Sequence, residues 1–165
     1  MRKEAMMKGD GRAGRVAQIN VSRGGVPKLA VPHATLSSGG VEGDRQNDRR
    51  HHGGPDRAVC IYSLELIEAL QREGHPIAPG SAGENLTVSG LQWDSIEPGV
   101  RLRIGEALLE VTSYTVPCKT IRASFDGGRF ERISQKTNPG WSRVYARVLS
   151  AGEARIGDAV EISEG

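Results

Sequence analysis

The residue best suited to chemistry in this sequence is Cys118, within the segment 115–120 (TVPCKT). Pro117 keeps its predecessor extended and interrupts a strand ladder, so a β-rich run is predicted to end there and a helical turn to begin. The backbone N–H groups of that turn, with Lys119 and Arg122, favour a thiolate. An exposed thiol here would serve as a metal ligand or nucleophile. The alternative is packing in the core, where free cysteine behaves as a small apolar side chain.

A second candidate site is the segment Gly39–Arg57, which has no apolar period long enough for a helix or strand and is predicted to be a functional loop. Its glycines allow a ligand close to the backbone, its arginines suit phosphate, and its histidines can donate protons or bind metal. The candidate side chains and glycines are Asp44, Arg45, Asp48, Arg49, Arg50, His51, His52, Gly53, Gly54, Asp56 and Arg57. The alternative is a solvated loop whose acids and bases pair with one another.

A zinc site on His51 and His52 is disfavoured, because neighbouring side chains in an extended segment point to opposite sides and no helical pair of histidines is present. A third candidate is Gly83-Glu84-Asn85, which offers a backbone amide, a carboxylate and a carboxamide to a pocket. The alternative for these residues is a turn in which the Asn85 side chain binds backbone groups.

The elements that position these residues are mostly short strands. Alternation predicts a strand from Arg15 to Val21, a buried strand over 58–62 follows the long loop, and a hairpin is predicted over 100–112. A second hairpin is predicted from the apolar residues at 144–148 and 156–162. The clearest helix starts at a Ser63 cap and ends near Gly74. Many short strands with one good helix predict a mainly β fold, a β-barrel or closed sheet with a few short helices.

Composition limits the function classes. The 165 residues fit a single domain over 15–165, and the polar, glycine-containing residues 1–14 are predicted to be a flexible leader. The sequence has two cysteines, no apolar signal segment and no membrane-length apolar run, so a soluble cytoplasmic protein is expected. A net charge of +2 and 4% aromatic residues make a nucleic-acid-binding barrel the least favoured function.

Several motifs together resemble the MOSC domain family, named for the C-terminal domain of molybdenum-cofactor sulfurase, and its compact bacterial type in particular. They are Gly43-Asp-Arg, His51-His-Gly-Gly-Pro-Asp-Arg-Ala-Val, the stretch from Pro79-Gly to Gly83-Glu-Asn-Leu, and the late Cys118, in that order. The resemblance covers about residues 15–162. It implies a β-barrel-like fold that holds a molybdenum cofactor (molybdopterin).

The resemblance implies that Cys118 either ligates molybdenum or carries sulfur. It also implies that His52 or Glu84 supplies or relays protons and that the loop, the turn and Arg122 contact the cofactor. The implied cofactor-binding residues are Asp44, Arg45, His51, Gly53, Gly54, Asp56, Arg57, Gly83, Asn85 and Arg122. These assignments are expectations carried by the family likeness.

By the same resemblance, the expected reaction is reduction of N-hydroxylated compounds, such as N-hydroxylated base analogues, to amines. No dinucleotide fingerprint or iron–sulfur cysteine set is present, so a separate flavin or iron–sulfur reductase is expected to supply electrons. The alternative is a sulfur carrier or cofactor-binding module that holds a persulfide on Cys118 and has a cysteine desulfurase as partner.

Overall fold

Short apolar segments bounded by glycine turns form eleven strands in the described part of this protein. The computed structural model describes residues 11–44 and 54–163. The strands are β1 (Ala13–Val21), β2 (Leu29–Val31), β3 (His33–Ser37), β4 (Gly40–Val41), β5 (Val59–Ser63), β6 (Leu86–Ser89), β7 (Arg101–Ile104), β8 (Ala107–Tyr114), β9 (Val144–Ser150), β10 (Gly152–Arg155) and β11 (Ala159–Ser163).

One α-helix, α1 (Leu64–Arg72), lies in the described part of the chain. Short 3-10 turns cover Pro55–Arg57, Trp93–Ser95, Lys119–Ser124, Asp126–Gly128 and Phe130–Ile133. The Ser63 hydroxyl accepts a hydrogen bond from Leu66 N at 3.2 Å, as the capping pattern predicts. Ile67 and Leu70 lie on the buried face of α1.

Seven of the strands close into a barrel in the order β1, β11, β7, β8, β9, β5, β6 and back to β1. Strands β5 and β6 are parallel, whereas the other barrel neighbours are antiparallel. Strand β2 pairs with β1, and β10, β3 and β4 form a separate small sheet. The prediction of a mainly β, barrel-like fold is confirmed.

Apolar side chains at alternate positions along the strands fill the interior of the barrel. In β7, Leu102 and Ile104 are buried and Arg103 is exposed, which is the pattern of a strand with one wet face. All five residues of β5 are buried, in keeping with the contacts of α1 against that strand. The buried strand β5, paired with β9 and β6, is the part of the barrel from which the candidate site is built.

The hairpin predicted over 100–112 is present as β7 and β8. Two other predictions differ from the structure, the second hairpin and the end of the leader. The second predicted hairpin is wrong: β10 pairs with β3, while β11 pairs with β7 and β1 and closes the barrel. Apolar alternation predicts a strand but not its partner, which explains the error. Ala13 and Gly14, placed by composition in the leader, belong to β1; residues 1–10 lie outside the described residues.

Candidate functional site

The segment that carries Cys118 is anchored at both ends. Strand β8 ends at Tyr114, and Thr115 N then donates to Arg143 O at 2.9 Å. The 3-10 turn Lys119–Ser124 follows Cys118, and the Ser124 hydroxyl lies 2.8 Å from the hydroxyl of Ser81. The thiol therefore lies on a short connection between the barrel and the turn at residues 79–85. The strand-to-turn boundary predicted around Pro117 is present.

The two cysteines have different environments. Cys118 is partly exposed, and its Sγ lies 2.9 Å from the Thr120 hydroxyl. Cys60 is only 4% exposed, and its Sγ lies 3.7 Å from the Thr115 hydroxyl. Burial raises the pKa of the Cys60 thiol, against a smaller opposing effect of the Arg143 charge. Cys118 is thus the accessible thiol and Cys60 the packed one.

Glu84 is buried inside the turn at residues 79–85. Its Oε2 accepts hydrogen bonds from Gly80 N and the Thr87 hydroxyl, both at 2.9 Å. Its Oε1 is buried without a hydrogen-bond partner among the described residues. Burial raises the pKa of Glu84, while its hydrogen bonds and the Arg143 charge act in the opposite direction. The arrangement favours a neutral carboxylic acid that holds its proton away from solvent.

Asn85 and Asp44 belong to one buried polar network. Asn85 Oδ1 accepts from Cys60 N at 2.9 Å, and its Nδ2 donates to Asp44 Oδ2 at 3.0 Å. Lys28 Nζ lies 2.6 Å from Asp44 Oδ1 and 2.9 Å from Oδ2, and Ser22 N donates to Oδ1 at 2.9 Å. Both carboxylate oxygens of Asp44 are therefore engaged by the protein itself. The network fixes the chain at Asp44, immediately before the segment 45–53, against the barrel.

After the segment 45–53 the described chain resumes at Gly54 and forms the 3-10 turn Pro55–Arg57 beside the barrel. The guanidinium of Arg57 lies over the ring of Tyr145, with 5.4 Å between Cζ and the ring centroid. The neighbouring residue Asp56 accepts a hydrogen bond from Arg147 Nε at 3.1 Å. Arg147 also donates to Glu110 at 2.7 Å. Asp44 and Asp56 therefore pair with cations outside the segment 39–57, while Asp48 lies outside the described residues.

Two residues at the centre of this region were missed by the sequence reasoning. Tyr145 lies opposite Cys60 of β5 and Ser113 of β8. Burial raises the pKa of Tyr145; charge on Cys60 and Cys118 raises it further, and Arg143 and Arg57 lower it. Both cysteines and both arginines thus lie within electrostatic range of one phenol. A lone tyrosine in a predicted strand carries no signal of this role.

Arg143 is the second missed residue. It is buried immediately before β9, and its Nη1 donates to Ala82 O at 2.7 Å. Its Nε is buried without a hydrogen-bond partner among the described residues. A buried arginine next to Glu84 and Cys60 supplies the positive charge of the site interior. Nothing in the local sequence distinguishes it from a surface arginine.

The remaining predicted site residues fall into three groups. Gly83 has φ +84°, and a Cβ there would lie 3.3 Å from Val26, so the turn suits glycine. Gly54 also has a positive φ and has open space around it, and Arg122 lies on the exposed side of the 3-10 turn after Cys118. The third group, Arg45, His51, His52 and Gly53, lies outside the described residues.

A metal site made only of protein side chains is not seen in residues 11–44 and 54–163, where no three His, Cys, Asp or Glu side chains converge. The described ranges also contain no helix of the length and apolarity needed to cross a membrane. The site instead presents one accessible thiol, one buried arginine, the half-buried Arg57 and a buried carboxylic acid.

A seven-stranded barrel with a partly exposed cysteine on the connection after β8, joined through Ser124 to the glycine turn at residues 79–85, defines the class of protein. The profile of the MOSC domain family matches residues 48–161. The chain belongs to the MOSC domain family.

Relatives of this chain include the uncharacterized protein YflK of Bacillus subtilis, 36% identical over 125 residues, which are 73% of this chain and 54% of YflK. Protein YiiM of Escherichia coli is 37% identical over 133 residues, 77% of this chain and 58% of YiiM. The chain therefore spans somewhat more than half the length of these relatives. The crystal structure of E. coli YiiM superimposes with a TM-score of 0.69 at 26% identity, covering 92% of this chain and 70% of that one.

Proposed function

We propose that this MOSC domain binds a molybdenum cofactor through Cys118 and reduces N-hydroxylated compounds to amines. The observation that carries the proposal is the partly exposed Cys118 thiol, held on an anchored connection between the Ser81–Glu84 turn and Tyr145 with its arginines. The balanced reaction converts R–NHOH, two electrons and two protons into R–NH2 and water. A separate flavin or iron–sulfur reductase supplies the electrons.

The residues present suit such a cofactor. Molybdopterin brings two sulfur ligands of its own, so a single soft protein ligand such as Cys118 completes a thiolate-rich set. Arg57 has no carboxylate partner among the described residues and can donate to the cofactor's phosphate. When bound, the molybdenum cofactor would supply two-electron redox chemistry to the site.

The protein's own residues have distinct parts in this proposal. Cys118 holds the metal, and the Thr120 hydroxyl at 2.9 Å orients its sulfur. Glu84 holds a proton inside the turn. Asp44 and Asn85 act indirectly, since their side chains are occupied in fixing the chain just before the segment 45–53. His52 remains the candidate for delivering a proton to the departing hydroxyl.

The decisive experiment is metal analysis after expression in a host that makes molybdopterin. We expect close to one molybdenum per chain in the wild type, loss in Cys118→Ser and retention in the matched control Cys60→Ser. Purified protein supplied with a chemical reductant should then convert an N-hydroxylated base analogue to the amine. Wild type without molybdenum, or Cys118→Ser with a full complement, would overturn the proposal.

The accessibility of Cys118 also suits a second function, that of a sulfur carrier. The Cys118 thiolate would attack the outer sulfur of a persulfide on a cysteine desulfurase. The sulfur–sulfur bond of the desulfurase persulfide breaks, its cysteine leaves as a thiolate, and Cys118 becomes a persulfide. Intact-mass measurement after incubation with a desulfurase and cysteine should then show one added sulfur, lost in Cys118→Ser. No added sulfur in a chain that turns over N-hydroxylated substrate excludes carriage as its main role.

A further inference from the structure

The guanidinium of Arg57 lies over the face of a buried aromatic ring. The Arg57 Cζ atom lies 5.4 Å from the centroid of the Tyr145 ring. Tyr145 is 6% exposed and is held in the middle of three paired strands, opposite Cys60 on one side and Ser113 on the other. The Thr112 hydroxyl donates to Tyr145 O at 3.2 Å. The ring therefore has little freedom to move, and the arginine above it gains a fixed position.

The acids near Arg57 are engaged elsewhere. Asp56, its chain neighbour, accepts from Arg147, and Glu110 accepts from the same arginine at 2.7 Å. Asp44, at the other end of the loop, is paired with Lys28. Within the described ranges Arg57 has no carboxylate partner. A cation–π contact of this length occupies no carboxylate and leaves the guanidinium N–H groups that point away from the ring available to an anion.

The geometry points to Tyr145 as a positioning residue that holds Arg57 for an anionic phosphoryl group bound beside Cys118. Cys118 and Arg57 both act electrostatically on the Tyr145 phenol, which places all three in one region. The inference rests on the proposed function, because the ligand is the phosphate of the proposed cofactor. The positioning of Arg57 is assigned to the aromatic ring of Tyr145 and not to its hydroxyl. Tyr145 is not part of the family motifs quoted above.

The test is a titration with inorganic phosphate of the full chain produced in a host unable to make molybdopterin, at low ionic strength. We expect Tyr145→Phe to bind like the wild type, Tyr145→Leu to bind roughly fivefold more weakly and Arg57→Gln to lose about tenfold or more. Arg103→Gln, which removes an exposed positive charge on β7, is the matched control and should bind as the wild type does.

A double variant separates positioning from general destabilisation. If the ring acts through Arg57, Tyr145→Leu should cause no further loss in the Arg57→Gln background. Wild-type affinity in Tyr145→Leu or in Arg57→Gln, or equal losses in Tyr145→Phe and Tyr145→Leu, would overturn the inference. Because the titration needs no molybdenum, its failure is distinguishable from failure of the metal analysis.

If Tyr145→Leu does not fold, NMR of the wild type and Tyr145→Phe decides the question. In both proteins the Arg57 side-chain protons should be shifted by the ring current, and phosphate should move the Arg57 Nε–H signal. Absence of the ring-current shift, or an Arg57 Nε–H chemical shift that does not change when phosphate is added, would overturn the inference.

Discussion

At the scale of single residues, the two thiols show how burial decides reactivity. Thiolates react and thiols do not, so exposure and pKa together set the rate. Cys118 is partly exposed at a turn, whereas Cys60 is buried with a raised pKa. The same atom type is thus a candidate ligand at one position and a core side chain at the other.

We predict that a maleimide will label Cys118 at least roughly a hundredfold faster than Cys60 at pH 8, since burial limits both access and ionisation of Cys60. Mass spectrometry of native protein after timed quenching measures both rates. Cys118→Ala should remove the fast phase and Cys60→Ala should leave it. Fast labelling that survives in Cys118→Ala would contradict the assignment of the accessible thiol.

Glu84 should make stability depend on pH with a definite sign. Its pKa in the folded protein is raised above the ordinary value of 4.5, so its contribution is fully present below that pH and is lost as pH rises through the raised pKa. The unfolding free energy of the wild type, measured relative to that of Glu84→Gln, should therefore fall as pH rises from 4.5. Urea unfolding across pH 4.5–8 measures it. A constant difference over that range would show that Glu84 titrates normally.

At the scale of elements, the turn at residues 79–85 depends on a close backbone approach. Gly80 has φ +87°, and a Cβ there would lie 2.5 Å from Lys28 O. Its N–H donates to Glu84, and its carbonyl accepts from Lys28 N at 2.9 Å. The glycine therefore answers two requirements at once, a left-handed conformation and space for a neighbouring chain.

We predict that Gly80→Ala will destabilise the protein by about 1–3 kcal/mol more than Gly99→Ala. Gly99 also has a positive φ, of +99°, but nothing lies within 4 Å of its added Cβ, so the pair isolates the cost of the close approach. Urea unfolding of both variants provides the comparison. Equal losses would mean that backbone conformation alone, and not contact with Lys28, determines the choice of glycine.

At the scale of the whole molecule, one buried ion pair joins the two sheets. Asp44 follows β4 of the small sheet, while Lys28 and Asn85 precede β2 and β6 on the barrel side. The side chains of Lys28 and Asp44 are 8% and 4% exposed. Removal of one partner from such a pair leaves an uncompensated buried charge, whereas removal of both does not.

We predict that Lys28→Met will cost about 3 kcal/mol of unfolding free energy and that adding Asp44→Asn will recover much of the loss. Lys119→Met, which removes an exposed lysine, is the control and should change stability by less than about 0.5 kcal/mol. Chemical denaturation of the three variants tests this. Additive losses in the double variant would refute a coupled pair.

Much of the barrel could be predicted from sequence because local patterns specify it. Alternation marks the strands, Ser63 and Gly74 bound the helix, and Pro117 marks the end of β8. The pairing of β10 with β3 and of β11 with β1 could not be predicted, because alternation gives a strand's buried face and not its neighbour.

The sequence by itself determined the family, the barrel class and the candidate thiol, since motif order, strand alternation and the Pro117-Cys118 step are all local. Only the tertiary structure decided which charges meet. It pairs Asp44 with Lys28 and Asp56 with Arg147, and it places Arg57 on Tyr145. Strand pairing brings residues distant in the chain, such as Cys60 and Tyr145, opposite each other, and the electrostatics of a site depend on distance in space.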